Sequence, residues 1–271
     1  MRKRLTEIAP WLLPLRKKER CFFFYRKMKL DHNTYSSHFK EALPYEQYRV
    51  TSNMMNENTG FDMQYQKNKV HNLKLAAKTM QNLLIQPHET FSFWMRVRHA
   101  DEKESYKDGL VVVNGKLTTA NGGGLCQMSN VLFDMFLHSP LTIVERHGHA
   151  EKDFPDPDPD TLCGIDATVS EGWLDLKVRN DTPFTYQLFF VFDENYMTGI
   201  LRTDNAKKIA YGVHNGEVRY ERNGDDVYEH ADVYRDELDE EGRILKSQLL
   251  YHNRVKLGYE IKGFPQEASH S

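Results

Sequence analysis

The run Gly122-Gly123-Gly124-Leu125-Cys126-Gln127-Met128-Ser129 holds the residue types most able to do covalent chemistry in this chain. Three glycines precede a cysteine at the point where a helical pattern begins. N–H groups at a helix start lack intrahelical partners and carry partial positive charge, so they stabilise a thiolate there. The same donors can hold the oxyanion that forms when a thiolate attacks a carbonyl. Glycine at 122, 123 and 124 lets a substrate backbone come close where a Cβ would block it. The competing reading is a buried cysteine behind a flexible turn, and the motif alone does not decide between the two.

A cysteine nucleophile needs a base within hydrogen-bond reach and a third group to orient that base. Downstream the chain offers His147 and His149, then Asp166 and Asp175. His149 is the preferred base and His147 the second, although a histidine at either place serves equally well as a structural group. The Gln127 side chain can donate toward an oxyanion, or cap and pack; Ser129 can bond backbone groups in the first helical turn. A metal reading would take His147 and His149 as ligands with Cys126 or Asp153 as a third. No further close ligand pair supports it, so no metal or cofactor is expected. The glycines do not form a G-x-G-x-x-G array, and no Gly-Lys-Ser/Thr follows to hold phosphates.

Elements able to position these groups follow from periodicity. Apolar residues at 70, 73, 77, 80 and 84 mark one helix face. Positions 89–94 read as an aromatic-rich strand, and 110–113 as a short strand turned at Asn114-Gly115. Met128, Val131, Leu132, Met135 and Phe136 make a second helical stripe ending before Pro140, which puts Cys126 in the first turn. Positions 141–149 read as a strand whose alternation sets Glu145, His147 and His149 on one face. A Pro/Asp-rich loop spans 153–160, and strand patterns resume at 165–169, 174–178 and 184–192. Beyond Asn205 the pattern is of hairpins turned at His214-Asn215-Gly216, Asn223-Gly224 and Glu240-Glu241-Gly242, with acid-rich 225–241 as a solvated edge. The expected fold is α+β: a mixed or antiparallel sheet with the cysteine-bearing helix packed on it, plus a C-terminal β-hairpin extension. Its order of cysteine, histidine and acid is transglutaminase-like. The expected division is a basic, aromatic segment at 1–55, a core at 56–205 and a β-rich extension at 206–271.

Composition bounds the partners. With 271 residues, 39% hydrophobic and 12% aromatic, the chain suits a folded soluble protein. Residues 1–40 carry eleven Lys/Arg against three acids, a net +8 inside a chain of net −3, so the remainder is acidic. That acidity argues against a nucleic-acid partner. The basic segment includes Trp11 and the run Cys21-Phe22-Phe23-Phe24-Tyr25, a mixture that can touch an anionic membrane surface or form an amphipathic element with solvated lysines. No apolar stretch approaches the ~20 residues of a membrane span, and no secretory signal is evident, so the expected compartment is the cytoplasm or the membrane periphery. Three widely spaced cysteines, Cys21, Cys126 and Cys163, do not suggest a disulfide framework.

The motifs resemble those of the VanW family. Positions 122–129 match its glycine–cysteine–glutamine signature, Glu145-Arg146-His147-Gly148-His149 its arginine–histidine–x–histidine segment, and Asp166-Ala167-Thr168-Val169 its Asp-Ala-Thr-Val segment. Ala76-Ala77 and Phe91-Ser92-Phe93 fit the family's helix and strand, so the match covers roughly 60–190. Two departures occur: Asn130 replaces the usual threonine, and Leu132-Phe133-Asp134 stands for Leu-Tyr-Asn, which bears on substrate details. The full length is most similar to the family's short members from VanB-type vancomycin-resistance clusters, which implies an accessory role in resistance. Some larger members are associated with L,D-transpeptidation of peptidoglycan. The resemblance therefore implies attack by Cys126 on a stem-peptide carbonyl, with His149 as base and Asp166 orienting it. Gly122, Gly123, Gly124, Gln127, Ser129 and Arg146 would face substrate or oxyanion. The implied partner is a peptidoglycan stem peptide or lipid-linked precursor. The rival reading is a non-catalytic module binding cell-wall peptide or a resistance-cluster partner.

Overall fold

The computed structural model describes residues 10–113, 116–153, 155, 161–206 and 209–260. The Asn114-Gly115 turn, most of the 153–160 loop and the first nine residues of the basic segment lie outside these. Four α-helices and fifteen strands occur among the described residues, an α+β arrangement. In chain order, α1 (Leu13–Leu30) leads into β1 (Thr34–Tyr35) and β2 (Tyr45–Asn53). Next, α2 (Gln64–Lys78) buries Leu73 and Ala77 of the face that periodicity marked and ends before Met80 and Leu84 of that stripe.

After β3 (Leu84–Ile85), β4 (Glu89–Ser92) stops two residues short of the predicted strand end. Ser92 Oγ accepts from Met95 N and caps the short helix α3 (Phe93–Val97), so side-chain capping overrides the aromatic strand pattern. Strands β5 (Asp108–Val113) and β6 (Lys116–Asn121) pair antiparallel, and α4 (Leu125–Leu137) follows. Met128, Leu132, Met135 and Phe136 on α4 are wholly buried. Each such side chain contributes about 1.5–3 kcal/mol through burial, so the cysteine-bearing helix is held as part of the core.

The chain continues through β7 (Thr142–Glu145), β8 (Glu151–Lys152), β9 (Lys177–Arg179), β10 (Tyr186–Phe192) and β11 (Tyr196–Thr203). The C-terminal strands are β12 (Ala210–Asn215), β13 (Arg219–Asn223), β14 (Asp226–Leu238) and β15 (Ile244–Leu257). Four sheets result among the described residues: the β5-β6 pair and three larger ones ordered β1-β4-β9-β7, β2-β11-β10-β3 and β12-β14-β15-β8, with β13 paired to β14. Positions 1–55 supply β1 and β2 to sheets completed by later strands, and β15 pairs parallel with β8. Arg235 on β14 also donates to the Ser139 and Leu141 carbonyls just beyond α4. The C-terminal hairpins are thus bonded directly to the body that carries the cysteine.

Two predicted strands differ in a way that matters for the site. β7 ends at Glu145, so His147 and His149 are not on a strand and do not share its face. Residues 165–169 are extended but join no sheet ladder. Helix side chains and loop backbone complete their bonds instead: Ala167 N donates to Asn130 Oδ1 at 2.8 Å and Thr168 N to His147 O at 2.7 Å. Buried backbone groups need partners, but the partners need not be strands.

Candidate active site

Cys126 sits half-buried in the first turn of α4, after Gly124 in a left-handed conformation at φ 103°. A Cβ on Gly124 would lie 2.3 Å from Lys69 Cγ, and one on Gly123 would lie 2.4 Å from the Gly109 carbonyl oxygen. Asn72 Nδ2 donates to Gly123 O at 3.0 Å and to Lys107 O at 2.9 Å. Gly123 and Gly124 therefore admit the protein's own β5 and α2 rather than a substrate backbone, which corrects the expectation for those two, whereas a Cβ on Gly122 would meet only ordinary contacts with Leu125 and Tyr106 at 3.7 Å. The close packing of Gly123 and Gly124 sets where the helix starts and hence where the sulfur lies.

Cys126 Sγ is 3.5 Å from Thr168 Oγ1 and 3.9 Å from the Val169 carbonyl. Ser129 and Asn130 keep that segment in place. Ser129 Oγ donates to Ala167 O at 2.5 Å and also lies 3.0 Å from Cys126 O, while Asn130 accepts from Ala167 N. Ser129 is fully buried, so its role is internal, as the first-turn reading had it, and it does not face substrate. Gln127 is also withdrawn from the expected oxyanion role: its Nε2 donates to Ser52 Oγ at 2.8 Å and Asn53 O at 2.7 Å. Its backbone N–H is bonded to Gly124 O at 2.9 Å. Leu125 and Cys126 supply the first-turn N–H groups without intrahelical acceptors.

His149 Nδ1 meets Asp166 Oδ2 at 2.5 Å, and the His149 backbone N–H donates to the same oxygen at 2.7 Å. The Asp166 hydrogen bond, joined by one with Cys126, pushes the imidazole up to about 10. Burial would raise the Cys126 thiol, but the hydrogen bond with His149 and another with Thr168 bring it below its ordinary value. Burial likewise raises Asp166, and its bonds to His149 together with the Arg146 charge reverse this and hold it low. Thiol down and imidazole up are the directions in which a hydrogen-bonded cysteine–histidine pair beside a carboxylate shifts.

Arg146 differs most from its expected place. Its Nη2 donates to Asp166 Oδ1 at 2.6 Å and to Gly164 O at 2.7 Å, and its Nε to Asp166 O at 2.6 Å. Its Nη1 bonds Asn253 Oδ1 at 2.8 Å, and the guanidinium stacks 4.8 Å from the Tyr251 ring centre. Arg146 therefore fixes Asp166 from behind rather than facing substrate. Thr168, Tyr251 and Asn253 escaped sequence reasoning; Asn253 and Tyr251 lie on β15, over a hundred positions from Arg146, and no local pattern ties them to it.

The second histidine and second acid go elsewhere. His147 Nε2 lies 3.1 Å from Glu145 Oε1, within a cluster that includes Lys177. Asp175 is fully buried and accepts from Ser92 Oγ at 2.6 Å and Trp94 N at 3.1 Å. Burial pushes its carboxyl up to about 6. Since His147 turns to Glu145, the alternative ligand set is not assembled; among the described residues no three His, Cys, Asp or Glu side chains gather as metal ligands. His149 and Asp166 instead line a cleft of about 760 Å³, walled by Thr51 and Ser52 of β2, Asn130 and Asp134 of α4, and Glu229 and Val255 of the C-terminal sheet. Its size is that of a small-molecule or peptide site.

No solved structure matches the chain. The family model described as "VanW like protein" matches residues 68–202, which include every member of the cysteine–histidine–aspartate group. Over 262 residues the chain is 50% identical to "Vancomycin B-type resistance protein VanW" of Enterococcus faecalis (strain ATCC 700802 / V583), covering 96% of this chain and 95% of that protein. It is also 38% identical over 114 residues to "Uncharacterized protein YoaR" of Bacillus subtilis (strain 168), covering 42% of this chain and 36% of that one. With end-to-end identity of that order to one relative and the family signature carrying the site, this chain belongs to the VanW family.

Proposed function

We propose that this chain is a vancomycin-resistance accessory protein acting as a cysteine-dependent acyl transferase on peptidoglycan stem peptides, in the manner of an L,D-transpeptidase. The observation that supports it most is the Cys126–His149–Asp166 group beside an open cleft, with the thiol lowered and the imidazole raised. The resistance role is suggested by the name of the Enterococcus relative.

In this reading the Cys126 thiolate attacks the carbonyl that precedes a terminal D-residue. The first-turn N–H groups of Leu125 and Cys126 face the developing oxyanion. As the C–N bond breaks, His149 gives its proton to the leaving amine, and a thioester remains on Cys126. An amine of a second stem peptide, or water, then attacks the thioester. His149 takes the proton from that nucleophile, and the thiolate departs to rejoin the imidazolium. Asp166 holds the ring in the required tautomer, and Arg146 holds Asp166. A stem peptide on a lipid-linked precursor presents the same groups as one in the wall.

The test incubates the protein with disaccharide-tetrapeptide and follows products and intact protein by mass spectrometry. The expected result is cross-linked or trimmed muropeptide, with a transient acyl adduct lost in Cys126→Ala. Product that persists in Cys126→Ser would remove the nucleophile assignment. Saturable muropeptide binding that survives Cys126→Ala, with neither adduct nor product, would replace the enzyme by a binding module.

A further inference from the structure

We propose that α1 is a docking element for an anionic membrane surface, lying on the bilayer and holding the site beside it. The proposal does not depend on the reaction at Cys126. One face of α1 is anchored: Cys21, Phe24, Tyr25 and Met28 follow the i, i+3, i+4, i+7 spacing and turn inward, with Met28 buried. Tyr25 Oη donates to Glu171 Oε1 at 2.9 Å, and the Arg98 guanidinium lies 4.8 Å from the Tyr25 ring centre. At about 100° per residue, Leu15, Phe22, Phe23 and Leu30 fall on the opposite face.

That outer face has no partner among the described residues. Trp11 is 77% exposed, Leu15 63%, Phe22 59%, Phe23 58% and Leu30 63%. From Leu13 to Arg20 every residue is exposed, so the first half of the helix stands off the body. Interleaved with these apolar groups are Arg16, Lys17, Lys18, Arg20, Arg26, Lys27 and Lys29, opposed in the same stretch by Glu19 and Asp31 alone. Exposed large apolar side chains grouped this way mark a contact surface. Their mixing with seven cations selects the contact: long basic side chains reach phosphate headgroups while the rings sit at the acyl boundary. No helix of the described residues is long and apolar enough to cross a membrane, so α1 would lie along the surface.

The site is coupled to this element by a short piece of chain. Thr168 and Val169 touch the Cys126 sulfur, and Glu171 and Trp173, a few residues on, meet α1. Trp173 is 64% exposed, and the Arg20 guanidinium lies 4.9 Å from its ring centre, which extends the aromatic and basic surface. A bilayer under α1 would therefore lie next to the turn that backs the cysteine.

The test is flotation of the full chain with phosphatidylglycerol-containing vesicles and with phosphatidylcholine vesicles. The chain is expected to float with the anionic vesicles alone and to be released as salt rises. Replacing Arg16, Lys17, Arg26 and Lys27 together by Gln is expected to lower partitioning by about 10²–10³-fold, at roughly 1 kcal/mol per basic residue near the surface. Phe22→Ser with Phe23→Ser should do the same with the melting temperature unchanged, since both rings are exposed. Should that variant fold poorly, quenching of tryptophan fluorescence by brominated anionic lipid on the unaltered chain gives the same information. Absence of flotation with either vesicle, or equal flotation with both, would overturn the proposal. So would a lipid-free dimer that the Phe22/Phe23 change dissolves, because the face would then belong to a second copy.

Discussion

Two histidines two positions apart, each beside a carboxylate, have been put to different uses. His149 meets Asp166 at the mouth of a cleft and shares a hydrogen bond with a cysteine. His147 meets Glu145, whose other oxygen takes Lys177 Nζ at 2.9 Å, beside the fully buried Asp175. Composition is nearly the same in the two clusters; what separates them is which cation or donor completes each acid. Asp166 has Arg146 and two donors from His149, and stays charged with its carboxylate aimed at the ring. Burial of Asp175 among few charges drives its carboxyl up to about 6. Under the proposed function one cluster moves protons, while the other links neighbouring strands.

The widest separation should appear in reactivity. Cys126 is expected to be alkylated by iodoacetamide with a midpoint below the ~8.5 of an ordinary thiol. In His149→Ala that midpoint should rise and muropeptide turnover should fall by about 10²–10⁴-fold, while His147→Gln should stay within about twofold, the size of an ordinary surface change. Equal effects from the two histidines would erase the contrast.

Arg146→Ala comes next, because it leaves the Asp166 carboxylate without its cation and removes a stacked guanidinium. A loss of about 3 kcal/mol is expected, read as roughly 6–12 °C in Tm for a chain of this size. A Tm within a degree of the parent would show that Asp166 is held without it.

The two acids should then respond to pH with opposite sign. Asp166 is lowered on folding, so its contribution is present above the ordinary carboxylate range and fades as pH falls through its lowered value. Asp175 is raised, so its contribution is full below about 4 and is lost as pH rises through about 6. In urea unfolding, the deficit of Asp166→Asn should grow between strongly acidic and mildly acidic pH. That of Asp175→Asn should shrink by roughly 2–3 kcal/mol between pH ~4 and ~7. Parallel slopes would mean the two clusters are electrostatically alike.

The smallest of these effects belongs to the glycine run. Gly123→Ala should cost about 1–3 kcal/mol through overpacking against Gly109, with a matching fall in Tm. An unchanged Tm would mean the glycine serves substrate after all.

Much of the site was readable from local pattern. The stripe Met128, Val131, Leu132, Met135 and Phe136 places Cys126 in a first helical turn because helical spacing depends only on neighbours in sequence. Strand alternation failed at 146–149 for a related reason: alternation holds only while the ladder lasts, and β7 ends at Glu145. The stretch 165–169 has a strand's composition, yet Asn130 and Ser129, residues of a helix, complete its bonds. Edge strand β2 pairs with β11 across some 150 positions, and neither was marked by local pattern, although β2 walls the cleft.

The sequence by itself determined the helix-start cysteine, a pair of candidate histidines and two candidate acids, the basic aromatic character of α1 and membership of a family, since these rest on residue identity and short-range spacing. Tertiary structure alone decided that His149 and not His147 turns to the sulfur, that Arg146 serves Asp166, and that Asn253 and Tyr251 of β15 brace it. It also decided that Gly123 packs against the Gly109 backbone and Gly124 against the Lys69 side chain. The physical reason is the same in each case. Charge pairing and close packing depend on which atoms meet in space, and sheets bring together positions that no local period relates.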